Sequence, residues 1–195
     1  MTTTQTTRLP RPMRADALRN RASILQAARE LFAGEDPDVQ IGDVARRAGV
    51  GVGTVYRHFP DKEALMGELV RERFGVLNAR LREALDEDGD AFDALADAMR
   101  SNVESLADDA ATRFAFTSGG DRVFEHAKQE REEFIVNATE MVARAHASGT
   151  LREDFGAGDI PMLMCGVCAT IDNRAAGWSW ERHLELMISG MRSRP

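Results

Sequence analysis

One stretch of the chain, residues 48–65, concentrates the side chains best suited to chemistry with a partner molecule. Its sequence, AGVGVGTVYRHFPDKEAL, brings Thr54, Tyr56, Arg57, His58 and Lys62 close together. Hydroxyl, imidazole and cationic groups donate hydrogen bonds to phosphate oxygens, and an arginine also donates to the major-groove edge of guanine. The composition therefore favours contact with a nucleic-acid backbone, with Arg57 directed at a phosphate or, alternatively, at a guanine.

The remaining reactive residues do not form a recognisable catalytic or metal-binding pattern. His58, His126, His146 and His183 are scattered, and the sequence shows no Ser/His/Asp set and no glycine-rich phosphate loop. Cys165 and Cys168 have a C-x-x-C spacing, which can mark a redox pair or half of a zinc site. They lie in an apolar, helix-like run without a second Cys/His pair, so we expect two small core residues. We predict no enzyme activity, no metal and no cofactor.

Charge is distributed unevenly along the chain. The formal net charge is -7, but residues 1–62 carry ten Lys/Arg against seven Asp/Glu, whereas residues 63–195 carry fifteen against twenty-five. A basic end on an acidic body is typical of a protein that contacts phosphates with one end only. No apolar run is long enough to span a bilayer and no secretory signal is present, so we expect a cytoplasmic protein without membrane contact.

Helical periodicity supplies the elements that position residues 48–65. A first helix from Asp16 has a buried stripe, a second covers about Ile41 to Ala48, and a third covers about Val52 to His58. Gly49 permits a left-handed turn between the last two, and Pro60 ends the third. If Val55 and Phe59 face the core, the polar residues of the third helix project outward. The pattern predicts a helix-turn-helix whose short third helix enters the major groove.

The rest of the chain is also predicted to be helical. Asp61 caps a fourth helix that ends near residue 88. Further helices are predicted at about 91–107, around Phe114 and Phe116, at about 121–148, at about 160–176, and after Gly177. Residues 1–14, with Arg8, Arg11 and Arg14, are predicted to be a flexible arm, which is either a solvated tail or a segment lying along phosphates or in the minor groove.

The segments ILQAARELF and IGDVARRAGVGVGTVYRHFPDKEAL resemble the DNA-binding domain of the tetracycline-repressor (TetR) family over roughly residues 18–70. The resemblance implies an all-α homodimer with an N-terminal three-helix DNA-binding domain. A fourth helix joins this domain to a C-terminal ligand-binding and dimerisation domain. The family's DNA contacts fall on Thr54, Tyr56, Arg57, His58 and Lys62, with Val52 pointing into the groove. We therefore divide the chain into an arm at 1–14, a DNA-binding domain at 15–62, and a ligand-binding and dimerisation domain at 63–195.

Three features of the DNA-binding region depart from the family pattern or leave a choice open. Gln40 stands where the family usually has Thr or Ser, so the second helix frays or uses Asp38 as its cap. Gly51 replaces the common Ser at the start of the third helix, which removes a hydroxyl. Of the adjacent Arg46 and Arg47, we expect one to contact a phosphate and the other to stay solvated, and Arg46 is our candidate.

In the C-terminal region the resemblance implies that the last two helices pair with their copies in a dimer. The apolar Ile160–Ile171 segment agrees with this use, the alternative being the central helix of a monomeric bundle. Trp178 and Trp180 are expected at the interface. The family also implies a repressor that binds a near-palindromic operator and leaves it when a small effector binds.

We predict a mostly apolar or aromatic effector, although an apolar stripe is also typical of a plain core. The candidate lining residues are Met99, Val103, Phe114, Phe116, Phe134, Asn137, Met141, Met164, Cys168 and Asn173. A second interpretation, in which the helix-turn-helix binds another protein, remains open at this stage.

Overall fold

The computed structural model describes residues 11–34, 36–173 and 177–193, with the backbone alone for residues 11–14. These residues form ten α-helices, and their only β pairing is an isolated bridge between Leu151 and Arg192. The helices are α1 Arg11–Phe32, α2 Ile41–Ala48, α3 Val52–His58, α4 Lys62–Asp86, α5 Ala91–Asp108, α6 Ala110–Ser118, α7 Gly120–His126, α8 Lys128–Ala147, α9 Asp159–Asp172 and α10 Trp180–Met191. The predicted all-α architecture is confirmed.

The first helix begins earlier than the sequence pattern indicated. The backbone is helical from Arg11, so the predicted arm is wrong for residues 11–14, while Arg8 lies outside the described residues. Pro12 did not prevent this start, because a proline in the first turn of a helix lacks only an N–H group that would have no intrahelical partner.

A compact core holds the helix-turn-helix together. Ile24 and Phe32 of α1, Val44 of α2, Val55 of α3 and Leu65 of α4 are all fully or almost fully buried. Full burial of an apolar side chain of this size contributes about 1.5–3 kcal/mol to the free energy of folding, relative to leaving it exposed. Much of the stability of this three-helix unit therefore comes from one shared apolar cluster.

The turn between α2 and α3 follows the prediction from Gly49. This residue has φ 69°, in the left-handed region, and the N–H of Val50 donates to the carbonyl of Ala45 at 3.0 Å. A glycine occupies this conformation without the steric cost that a side chain would add. The helix α3 ends at His58, and Phe59 is extended before Pro60, as expected for a residue that precedes proline.

The start of α2 differs from both alternatives expected for it. The backbone N–H of Gln40 donates to the Asp43 carboxylate at 3.0 Å, so an acidic residue in the first turn stabilises this end. Asp38 does not cap the helix. Its carbonyl instead accepts a hydrogen bond from the Gln40 side chain at 2.9 Å. The prediction of a frayed or Asp38-capped helix was wrong because it considered only the side chain of residue 40. It overlooked that Asp43, three residues into the helix, accepts a hydrogen bond from the backbone N–H of Gln40.

The fourth helix connects the helix-turn-helix to the rest of the chain. The Asp61 carboxylate accepts from the backbone N–H of Ala64 at 2.8 Å, which confirms the predicted cap. At 1.5 Å per residue its 25 residues span about 37 Å. Leu65 and Leu69 belong to the core of the DNA-binding helices, while Leu81 belongs to a second core formed with α5, α8, α9 and α10.

The region between α6 and α8 is organised differently from the prediction. Instead of one helix from Asp121 to about Ser148, the chain forms α7 and α8, separated at Ala127. Ala127 is fully buried in the same core as the DNA-binding helices. The break therefore accompanies tertiary packing, and no glycine or proline marks it in the sequence. Likewise α9 ends at Asp172, before the predicted end near residue 176.

Candidate nucleic-acid interface and ligand cavity

The helix α3 presents a mixed polar and aromatic surface to solvent. Val55 and Phe59 are buried, as predicted, and Tyr56 is 52% exposed. Arg57 is exposed beside Tyr56. We call the outward-facing residues of this helix the α3 surface; they are Val52, Thr54, Tyr56, Arg57 and His58, of which Thr54 and His58 are half-buried.

Contacts to neighbouring helices fix the orientation of α3. The Arg21 guanidinium of α1 lies 5.3 Å from the centre of the Phe59 ring, within range of a cation–π interaction. Arg21 also forms an ion pair with Glu68 of α4 at 2.6 Å. The end of α3 is therefore held between α1 and α4, so that the α3 surface is presented on a fixed support.

The cations around α3 differ in whether they already have a partner. Arg46 pairs with Asp43 at 2.9 Å, and Arg47 donates to Glu30 at 2.6 Å. Both arginines are exposed and each also has a carboxylate within reach, so the expectation that one contacts a phosphate while the other stays solvated remains a prediction. Lys62 donates to the Pro37 carbonyl at 2.6 Å and lies 5.8 Å from the Phe32 ring centre. Within the described ranges, Arg57 alone of these four cations makes no ion pair or hydrogen bond.

A cavity of about 450 Å³ lies between α4 and the helices α5 to α9. Four phenyl rings form a continuous part of its wall. Phe74 lies 5.7 Å from Phe116 and 5.5 Å from Phe134, and Phe116 lies 5.9 Å from Phe124, measured between ring centres. Apolar pockets of this size are typical small-molecule sites. The remaining lining residues are Leu77, Leu81, Leu95, Ala98, Met99, Asn102, Leu106, Thr117, Asp121, Arg131, Ile135, Ala138, Ile160, Pro161, Met164, Cys165 and Cys168.

The cavity includes half of the predicted apolar and polar candidates. Met99, Phe116, Phe134, Met164 and Cys168 line it. The other apolar candidates are core residues: Val103 and Met141 are buried in the second core, and Phe114 packs on Phe32 of α1 with ring centres 6.2 Å apart. These three residues do not line the cavity, because one apolar stripe serves the cavity, the core and the contact between helices.

Neither of the two polar candidates lines the cavity. Asn137 donates to the Asn78 side chain at 3.2 Å, and Asn173 is an exposed residue at the end of α9. The buried polar residue on the cavity wall is Asn102, which the prediction missed. A sequence signal for it existed, since Asn102 shares the helical spacing of Leu95, Met99 and Leu106.

The two cysteines have different environments on the cavity wall. Cys168 is buried and Cys165 is exposed, so the prediction of two core residues is right only for Cys168. Burial, followed by the effects of Cys165 and Asp172, raises the pKa of the Cys168 thiol to about 11. Among the described residues, no group of three His, Cys, Asp or Glu side chains is arranged to hold a metal ion.

Comparison with known proteins identifies the chain's relatives. Residues 24–69 match the model for bacterial regulatory proteins of the tetR family. Residues 90–193, more than half of the chain, match the model described as the C-terminal domain of SbtR-like transcriptional regulators. The chain belongs to the TetR family of transcriptional regulators.

Individual relatives agree with this TetR-family assignment. A TetR regulatory protein from Mycobacterium vanbaalenii is 34% identical, with 93% of this chain and 99% of that chain covered and a TM-score of 0.56. The repressor LfrR of Mycolicibacterium smegmatis is 38% identical over 90 residues. That match covers 46% of this chain and 45% of LfrR, so this chain matches less than half the length of this curated relative.

A more distant structure shares the fold of this TetR-family regulator. It is FadR of Bacillus subtilis, solved in complex with stearoyl-CoA, which is 21% identical with a TM-score of 0.66 over 87% of this chain and 98% of that chain. Membership of the TetR family makes the chain a regulator rather than an enzyme. In the described ranges, no helix is both long enough and apolar enough to cross a membrane.

Proposed function

We propose that this TetR-family regulator is a repressor that a small, mostly apolar or aromatic effector releases from its operator. Residues 15–62 bind DNA, and residues 63–195 bind the effector and form a homodimer. The observation that carries the proposal is the α3 surface, where Tyr56 and Arg57 are exposed on a helix that Val55 and Phe59 hold to the core. A short helix of this kind, following a tight turn, fits the major groove.

The proposed DNA contacts are divided between phosphates and bases. Thr54, Tyr56, His58 and Arg57 donate to phosphates, and Val52 contacts a thymine methyl group. Arg46, Arg57 and Lys62 supply positive charge. The full set of proposed DNA contacts is Arg46, Val52, Thr54, Tyr56, Arg57, His58 and Lys62. Lys62 still has donors available for a phosphate, because an ammonium group has three and one is used by Pro37.

The last two helices present the surface that we propose for dimerisation. Met162 of α9 and Leu186 of α10 are 65% and 54% exposed, and Trp178 before α10 is 61% exposed. On α9 the exposed Gly166 and Ala169 follow Met162 at helical spacing, so a partner helix could approach closely. A twofold axis here would place two copies of α3 about 34–36 Å apart on successive major grooves of a near-palindromic operator.

The cavity has two structural connections to the DNA-binding helices. The first is α4, which begins at Lys62 and lines the cavity with Phe74, Leu77 and Leu81. The second is α7, which lines the cavity with Asp121 and Phe124. Arg122 of α7 pairs with Asp61, the cap of α4, at 2.9 Å. A ligand that displaces either helix would change the position of α3.

The test is to measure operator affinity with and without a molecule that binds the cavity. DNA selected from a random pool supplies the operator, and a thermal-shift screen of aromatic and aliphatic molecules supplies the ligand. We expect saturating ligand to weaken DNA binding by about 5–150-fold, the usual range of allosteric coupling. Arg57→Ala, as a control, should lose DNA affinity while binding the ligand normally. Cavity ligands that all leave DNA affinity unchanged would contradict the proposal.

A further inference from the structure

Asn102 is the buried polar side chain on the wall of an otherwise apolar cavity. It is 8% exposed, and the other polar side chains among the described lining residues, Thr117, Asp121 and Arg131, are exposed. A buried amide is costly unless its hydrogen-bonding groups find partners. The Asn102 amide on the cavity wall therefore needs hydrogen-bond partners for both its oxygen and its nitrogen.

Arg73 of α4 fixes the orientation of the Asn102 amide. The Arg73 Nε and Nη2 atoms donate to Asn102 Oδ1 at 2.7 and 2.5 Å, and Nη2 also donates to the Asn102 carbonyl at 2.9 Å. A guanidinium has donors only, so the side-chain oxygen must face Arg73. The opposite orientation, with the nitrogen towards Arg73, would bring donors against donors.

The Asn102 side-chain nitrogen consequently has no partner within the described protein. Every fully buried side-chain nitrogen or oxygen in the described ranges does have a partner, so this nitrogen is accessible to a molecule from outside. Asn102 lines the cavity, and we therefore assign the cavity as the space that this nitrogen reaches. In this assignment the buried part of the cavity wall offers two N–H donors among mainly apolar side chains.

The charge behind Asn102 strengthens these donors. Arg73 is half-buried and makes no ion pair with a described carboxylate, and burial together with nearby Arg80 lowers its pKa. A cation that donates to the amide oxygen polarises the amide and makes its N–H groups better donors. The site thus favours a group that carries partial or full negative charge.

We infer that Asn102 is the polar recognition point of the cavity, and that the effector is an apolar or aromatic molecule carrying a hydrogen-bond-accepting oxygen such as a carbonyl. This inference rests on the proposed function, whose effector class it narrows. The hydrogen bond positions the ligand against a residue that Arg73 connects directly to α4. Specificity arises because a ligand without an acceptor leaves the donors unpaired, which costs affinity.

The test compares two probes of the same shape, benzophenone, which has a carbonyl, and diphenylmethane, which has a methylene group in its place. Their dissociation constants are measured by calorimetry for the wild type and for Asn102→Asp. The aspartate retains an acceptor for Arg73 but presents an oxygen, instead of N–H donors, to the cavity. We expect the preference for benzophenone over diphenylmethane to fall by about tenfold in Asn102→Asp. Thr117→Val, which removes a hydroxyl from the exposed part of the wall, should leave the preference unchanged.

Two further measurements separate the possible results. In wild-type protein, the carbonyl stretch of bound benzophenone should move to lower frequency than in hexane, and this result does not require the variant to fold. Near-ultraviolet crosslinking of benzophenone, followed by peptide mapping, shows whether the probe occupies the cavity. Cavity crosslinks with an unshifted carbonyl band and an unchanged preference would overturn the role of Asn102 alone. No binding, or crosslinks elsewhere, would overturn both this role and the proposed effector site.

Discussion

At the scale of single residues, Arg57 differs from Arg46 and Arg47 in having no carboxylate partner among the described residues. Arg47 would have to leave Glu30 to reach a phosphate, and Arg46 would have to leave Asp43. Exposed ion pairs of this kind are weak. Breaking one to bind a phosphate still reduces the net free energy that the arginine contributes to DNA binding. Arg57 forms no such pair with a described residue, so the full attraction to a phosphate is available to it.

The substitution Arg57→Ala should therefore weaken binding to the selected DNA by about tenfold at moderate salt. It should also reduce the slope of log affinity against log salt concentration by about one. Fluorescence anisotropy at several salt concentrations measures both quantities. The matched control Arg47→Ala, which removes an arginine that is already paired, should change affinity by less than about threefold. Wild-type affinity and slope in Arg57→Ala would exclude Arg57 from the interface.

The cysteines allow a test of burial by pH dependence. A pKa raised to about 11 leaves the Cys168 thiol protonated at neutral pH, with a thiolate fraction of about one in a thousand at pH 8. Because the thiolate is the reactive form, alkylation of Cys168 by iodoacetamide should rise about tenfold per pH unit until the pH approaches 11. Mass spectrometry of Cys165→Ser measures this rate. Rapid alkylation at pH 7 would show that Cys168 is not buried.

At the scale of helices, α4 and α7 pack so closely that the contact requires a glycine. A Cβ atom at Gly67 would lie 2.4 Å from the His126 Cβ and 2.9 Å from the Val123 carbonyl oxygen. At Gly75, on the same helix, a Cβ would meet nothing within 4 Å. Substitution of alanine at the two positions therefore separates the effect of helix propensity on stability from the effect of close packing.

Gly67→Ala should lower the free energy of unfolding by about 1–3 kcal/mol, because the added methyl group forces α7 away from α4. Gly75→Ala should raise it by up to about 1 kcal/mol, since alanine is the better helix former and no contact is disturbed. Urea unfolding followed by circular dichroism measures both changes. Equal stabilisation by the two substitutions would mean that α7 does not pack on α4 as described.

The helices differ in how well the sequence predicted them, and the difference has a physical origin. Gly49, Pro60 and Asp61 act locally on the backbone, so the boundaries of α2, α3 and α4 could be predicted. The break at Ala127 coincides with burial of that residue against other elements, and no glycine, proline or capping residue marks it locally. No glycine or proline stands at the end of α9 either, so its exact end was missed.

At the scale of the whole molecule, contacts between α1 and the region of α6 connect the DNA-binding helices to the cavity region, in addition to α4. Arg29 of α1 pairs with Asp109 before α6 at 3.2 Å, and Phe32 packs on Phe114 of α6. Phe114 was predicted to contact a ligand, yet it joins the DNA-binding helices to α6, which lines the cavity with Phe116. Hydrophobicity and spacing identified these residues as buried. Hydrophobicity and spacing could not distinguish a residue on a cavity wall from a residue between two helices, because this difference depends on which helices become neighbours.

The central claim is that two copies of α3, related by a twofold axis, bind successive major grooves, and selection of DNA from a random pool tests it most directly. We expect an enriched inverted repeat whose half-site centres are about 10 base pairs, or a multiple of that spacing, apart. Enrichment of a single half-site without symmetry, or of no sequence at all, would contradict it.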